Sequence, residues 1–212
     1  MTETTDVMRH WAGVWADKEP DGTSWFQPVP EPCSRLVRSV STPASRVAIV
    51  GVGASRLIAD LLAQGYRRIE AVDIAAEALE RLGAQLGADA GRVRLRRADA
   101  RTVGFDDPVD VWHDRATFHF LTEAVDRAAY VASAGRGVRA GGHVVVATFA
   151  LDGPEQCSGL PVARYDARSL AAEFAGGFEL VDTVDHEHVT PWGSRQPFVY
   201  AVLRRSADSL NN

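Results

Sequence analysis

Cysteine is scarce in this chain of 212 residues: only Cys33 and Cys157 occur, far apart and outside any metal-ligand spacing. That excludes a disulfide framework and a zinc ribbon. Long apolar runs are also missing, and none reaches the ~18–20 residues that a bilayer span requires. The N-terminus is acidic and polar, unlike a secretory leader. The expected location is therefore cytoplasmic, with no membrane partner. Basic residues do not gather either. The formal net charge is -5, and the most basic stretch, Arg92-Val93-Arg94-Leu95-Arg96-Arg97, alternates with apolar residues. This reads as a strand with one solvated face, so no nucleic acid is expected as a partner. His186 and His188 share a strand face but have no third ligand at suitable spacing, so no metal is expected. Internal repeats and low-complexity segments are absent.

What is present is a globular composition, 46% hydrophobic, with length for one α/β domain. Met1–Asp6 reads as loose, and His10–Lys18, with Trp11, Val14 and Trp15 at helical spacing, as a short amphipathic helix. Trp25-Phe26 and three prolines follow. A helix from near Glu31 then turns Leu36, Val37 and Val40 inward, and Ser41–Ser45 ends it. From Arg46 strands and helices alternate. The predicted strands are Arg46–Val50, Ile69–Val72, Val93–Arg97, Val109–Trp112 and His143–Phe149. The helices between them are Ser55–Gln64, Ala75–Leu86 and Glu123–Val138. After a long loop, Asp152–Tyr165, come a helix over Ala167–Phe174 and two strands, Phe178–His188 and Pro197–Arg204, joined by Thr190-Pro191-Trp192-Gly193. The alternation predicts a parallel sheet covered on both faces, and the last two strands predict an antiparallel hairpin.

The first strand runs into Gly51-Val52-Gly53-Ala54-Ser55. Glycines there let the chain turn sharply and let a ligand approach the backbone, and the next helix offers free N–H groups. A dinucleotide fingerprint would place a third glycine three positions after Gly53, where Arg56 stands. Asp73 ends the second strand, 20 residues after Gly53, where a carboxylate can accept both ribose hydroxyls. Asp99 ends the third strand, where its side chain can receive an adenine amino group while the backbone of Ala100 meets the ring. As ordinary turn or N-cap residues these acids would carry no such meaning, but together with Gly51 and Gly53 they occupy three successive strand ends.

On these residues, from Arg46 to Arg205, about three quarters of the chain resembles class I S-adenosylmethionine (SAM)-dependent methyltransferases. The resemblance implies a Rossmann-like α/β fold: a doubly wound, seven-stranded, mostly parallel sheet with an antiparallel last strand. It implies SAM as cofactor and S-adenosylhomocysteine as product. The implied cofactor contacts are Gly51, Gly53, Ala54, Asp73, Ile74, Asp99, Ala100, Asp114 and Trp25. One position departs from the family: the acid common two residues before the first glycine is Ile49 here. The segment from His10-Trp11 to Pro32 is similar to the N-terminal lid of methyltransferases of the thiopurine S-methyltransferase type. It is also similar to a group of protein-lysine methyltransferases that share an N-terminal tryptophan and a downstream Trp-Phe. Three segments are expected: a helical lid over residues 1–45, the methyltransferase domain over 46–205 and a disordered tail over 206–212.

Methyl transfer from a sulfonium is a direct in-line displacement. It demands positioning and dryness, and makes a general base optional. The candidate catalytic residues are His119 as base, in the entry to the helix after the fourth strand, and Asp114. The alternatives are a packed imidazole for His119 and a structural ion pair between Asp114 and Arg115; His113 can face the other side of the sheet. Phe26, Phe118, Tyr165, Trp192 and Arg195 are the expected acceptor contacts. The function expected is methylation of a small molecule, a thiol slightly ahead of nitrogen or oxygen, by a monomer or homodimer. The competing readings are a protein-lysine N-methyltransferase and, further off, an NAD-dependent oxidoreductase or a non-catalytic nucleotide-binding module.

Overall fold

A computed structural model describes residues 2–17 and 19–207. Helix α1 (Thr2–Asp17) and helix α2 (Cys33–Ser39) precede the alternating part. That part runs β1 (Arg46–Val50), α3 (Leu57–Ala63), β2 (Arg68–Asp73), α4 (Ala76–Leu86), β3 (Val93–Arg97), β4 (Val109–Arg115), α5 (Ala124–Gly137) and β5 (Val138–Phe149). Helix α6 (Ala167–Glu173) and the hairpin of β6 (Phe178–Val189) and β7 (Arg195–Arg205) close the chain.

The seven strands form one sheet in the order β3-β2-β1-β4-β5-β7-β6. The first five are parallel, and β7 runs antiparallel to both of its neighbours. This is the sheet of the Rossmann-like methyltransferase fold, with the last strand reversed. Alternate residues of each strand feed two cores. Val47, Ile49, Ala71, Val111, Val145 and Ala147 face one way, with α2, α3 and α4. Ala48, Val50, Val72, Trp112, Val144 and Val146 face the other, with α5 and α6. Each fully buried side chain of this size contributes about 1.5–3 kcal/mol, so the period-2 pattern fixes register firmly. The direction of winding reverses between β1 and β4, which pair with Ile49 opposite His113 and Val50 opposite Asp114. In open α/β sheets that switch point opens a crevice at the carboxyl ends of the strands.

Four details depart from the pattern read in the sequence. The first turn of α1 reaches back to Thr2, so the segment expected to be loose is helical. Strand β4 continues through His113, Asp114 and Arg115. Strand β5 starts at Val138, so Gly141-Gly142 lies within it. The long loop after β5 folds a small antiparallel pair, Gln156–Cys157 with Leu160–Pro161. Of the tail, residues 208–212 lie outside the described residues, and Ser206 is held by its N–H donating to the carbonyl of Gly177 at 3.0 Å. Among the described residues no helix is long and apolar enough to cross a membrane.

Candidate active site

The crevice at the switch point is a cavity of about 370 Å³. Its floor is the glycine loop. Gly51 and Gly53 have φ of 60° and 52°, the left-handed region that side chains disfavour. A Cβ on Gly51 would stand 1.7 Å from Thr117 Oγ1, and one on Gly53 would stand 2.6 Å from the Trp15 ring. Both positions therefore require glycine for conformation and for space.

Asp73 ties this loop to the end of β2. Its Oδ2 accepts the N–H of Gly53 at 2.9 Å and its Oδ1 that of Ala75 at 3.0 Å. Burial raises its pKa, against the pull of these bonds. A carboxylate has about four acceptor positions, so capacity remains for a ligand hydroxyl. At the end of β3, burial opposes the charge on Asp99, but a fork from Arg101 outweighs it and lowers the pKa. Arg101 Nη2 donates to Asp99 Oδ2 at 2.6 Å, and Arg101 Nη1 to Asp126 Oδ1 at 2.5 Å. Gly51, Gly53, Ala54, Asp73, Ile74, Asp99 and Ala100 all line the one cavity. The two glycines of the strand-end loop and the two carboxylates on the next two strand ends fit an adenosine with its ribose.

The roof is aromatic. Trp15 is buried and packs with Ala54, Ala75 and Ala78. Trp25 meets Trp15 at 5.9 Å and Trp11 at 6.2 Å edge to face, and Trp11 meets Phe120 at 5.0 Å. Phe26 also lines the cavity, with the Arg56 guanidinium 5.5 Å from its ring centre. Such edge-to-face contacts contribute about 0.5–1.5 kcal/mol each beyond area burial.

Strand alternation decides the rest. His113 and Arg115 project from the same face of β4 and line the cavity together with Cys33, Cys157 and Leu160. Asp114 projects from the opposite face and is fully buried. There it accepts the N–H groups of Thr117 at 2.9 Å and Phe118 at 3.1 Å and the hydroxyl of Tyr130 at 2.5 Å. It makes no pair with Arg115, and it is not among the cavity residues. Its pKa is pushed up to about 6 by burial. Asp114 therefore holds the 114–118 turn, which sets Thr117 against Gly51, and does not touch a ligand in the cavity.

His119 is likewise not placed to act as a base. It is 0% exposed and packs between Phe120 at 4.5 Å and Phe149 at 4.8 Å. Burial, with the Arg115 charge second, brings its pKa down to about 3. Phe118 and Tyr165 belong to the core on the far face of the sheet, where their rings stand 5.9 Å apart. Trp192 is 60% exposed at the tip of the last hairpin, and the exposed Arg195 pairs with Glu187 at 2.5 Å. None of these four lines the cavity. Trp25 and Phe26 do, and so do His113, Trp11 and Trp15 of the N-terminal segment, and the unanticipated Cys33 and Thr117.

Residues 47–142 match the family model described as a methyltransferase domain. That stretch of the chain is a methyltransferase domain. No curated protein matches it. Solved structures share the methyltransferase fold at low identity. A protein that converts a disulfide bond into a thioacetal group during echinomycin biosynthesis has a TM-score of 0.77 at 18% identity, over 95% of this chain and 94% of that one. The N-methyltransferase NodS from Bradyrhizobium japonicum, in complex with S-adenosylhomocysteine, has 0.70 at 14%, over 92% and 97%. A 1,6-didemethyltoxoflavin-N1-methyltransferase from Burkholderia thailandensis, with its substrate and S-adenosylhomocysteine bound, has 0.67 at 21%, over 97% and 86%. The methyltransferase reading supplies an already activated methyl group on a sulfonium. The protein's own part is to hold both partners and exclude water.

Proposed function

We propose that the methyl acceptor is a small molecule enclosed between the glycine loop and the aromatic roof, with residues 1–45 acting as a lid on the domain formed by 46–205. In this reading Gly51, Gly53, Ala54, Asp73, Ile74, Asp99, Ala100 and Trp25 hold the cofactor, and Phe26 touches the acceptor. The observation that carries it is the roof itself. Trp11, Trp15 and Trp25 close over the loop and leave a cavity of about 370 Å³, the size of a small-molecule site. The toxoflavin enzyme of the same fold acts on such a molecule.

The acceptor is one that needs little help to react. Among the described residues His113 is the only histidine lining the cavity, and burial brings its pKa down to about 3. Asp73, Asp99 and Asp126 are already bonded, and Glu123 is exposed. A thiol, or an amine that is neutral at working pH, reacts without a strong base, whereas a hydroxyl usually needs one. Holding nucleophile, methyl carbon and sulfur in line can supply roughly 7–11 kcal/mol of the barrier, and the buried roof keeps water out.

Labelled SAM incubated with a panel of thiols, amines and phenols, and separately with cell lysate, tests the reading. Label is expected in the thiol or amine products; label in a protein band alone would establish the protein-lysine alternative instead. Calorimetry of Asp73→Ala checks the cofactor half. SAM affinity should fall at least tenfold, and unchanged affinity would remove Asp73 from the ribose site.

A further inference from the structure

The cavity contains a cation with no carboxylate within 4.0 Å among the described residues. Arg115 ends β4 and lines the cavity. Its polar contacts are both neutral: Nη1 donates to the carbonyl of Trp25 at 3.0 Å, and Nε to the hydroxyl of Tyr200 at 3.3 Å. The guanidinium carbon lies 4.6 Å from the centre of the Phe198 ring. Nη2 is buried and has no hydrogen-bond partner. Arg115 is absent from the ion pairs among the described residues, which include every carboxylate within 4.0 Å of an arginine.

Glu31, the carboxylate whose charge reaches Cys33 and His186, pairs with Arg38 at 3.8 Å and not with Arg115. The histidines nearby are kept neutral, first by burial and then by Arg115 itself: His113, His119, His186 and His188 all have lowered pKa values. Burial raises Cys33 and Tyr200, so neither offers an anion at neutral pH. Ile49 sharpens the point. It pairs with His113 across β1 and β4 and lines the same cavity. Strand β1, Arg46–Val50, brings no carboxylate to this side of β4. Buried cations are costly unless paired, and a guanidinium matches a carboxylate with two parallel bonds.

We propose that Arg115 is the anion-binding group of the acceptor subsite, and that the methyl acceptor carries a carboxylate or similar planar anion beside its nucleophile. Cys33, Phe120 and Leu160 line the same cavity and give apolar surface suited to the carbon skeleton. This deepens the small-molecule reading above and rests on it. The methionine carboxylate of the cofactor shares this chemistry, so the test separates the two sources.

The full chain saturated with S-adenosylhomocysteine is titrated in a calorimeter with benzoate and, separately, with benzamide, its neutral isostere. Benzoate is expected to bind at least tenfold more tightly. Arg115→Met should abolish the difference while leaving affinity for S-adenosylhomocysteine within twofold. Equal binding of the two probes, or binding of neither, overturns the proposal. So does a tenfold loss of S-adenosylhomocysteine affinity in Arg115→Met, which would give the cation to the cofactor. Should that variant not fold, Arg115→Lys serves, because it keeps the charge and loses the fork. A threefold or larger loss for benzoate alone supports the subsite, and an unchanged benzoate affinity overturns it. Wild-type protein that binds benzoate but not S-adenosylhomocysteine would keep the subsite and defeat the cofactor assignment, so the two failures differ.

Discussion

Gly51 combines a φ of 60° with a neighbour, Thr117 Oγ1, that stands where its Cβ would go. Gly51→Ala should therefore lose about 2 kcal/mol or more of stability, from backbone conformation and overpacking together. Thr117→Ala removes the nearest atom. The two substitutions should be coupled by at least about 1 kcal/mol in a double-mutant cycle read by urea unfolding. Strict additivity would mean that the turn after β4 does not press on the loop. Residue identity alone could not have revealed this contact, because it joins two strand ends 66 positions apart. His113 and Arg115 are different, because their placement was latent in the sequence. On a strand, every second residue shares a face, and Val111, His113 and Arg115 form one such set. Ending the strand at Trp112 hid this, and moved attention to Asp114 and His119. The strand runs on because Val50 pairs with Asp114 and Ala147 with Arg115, so both neighbouring strands extend that far.

At the scale of elements, the 114–118 turn links β4 to the glycine loop, and Asp114 is its anchor. Three donors meet one carboxylate there, and Trp112 Nε1 adds a further bond to Tyr130 at 2.8 Å. Asp114→Ala leaves those donors buried and unpaired, which should cost about 3 kcal/mol. Asp114→Asn keeps an acceptor and should lose clearly less, by about 1 kcal/mol or more. Urea unfolding of both variants decides the matter: equal losses would mean that the turn is held by something else. Element order was legible because β-branched runs, glycine stops and helical periodicity agreed with each other. The capping box of α6 illustrates such agreement, with Asp166 Oδ1 accepting from the Ser169 N–H at 2.7 Å. Misreadings fell where local signals are weak. The polar first turn of α1 has no apolar periodicity, and the 156–161 hairpin is held chiefly by its surroundings. Cys157 is buried there, and the neighbouring Ala163 N–H donates to the carbonyl of His119 at 2.8 Å.

For the whole molecule, the buried histidines His113, His119 and His188 set the response to acid. His113 and His119 have folded-state pKa values lowered to about 3, so the stability they confer is present above about pH 6.5 and is lost as pH falls through the window to about 3. Each contributes a slope of up to about 1.4 kcal/mol per pH unit there. Asp114, raised to about 6, acts in the opposite sense, with a contribution present below about pH 4 and lost as pH rises through 6. Urea unfolding at pH 7, 6 and 5 should show a shallower acid slope for His119→Leu than for the parent. Parallel slopes would show that His119 takes up its proton without unfolding the protein.

Trp15 lies against Gly53, on the loop that a cofactor must cross. In the lid reading proposed above, a molecule seated on that loop lies beneath a ring belonging to α1, so departure of the spent cofactor and lifting of the helix would be one event. The timing of turnover would then belong to the N-terminal helix. An enzyme built this way is tuned by loosening or tightening a tryptophan, with its reacting groups left as they are.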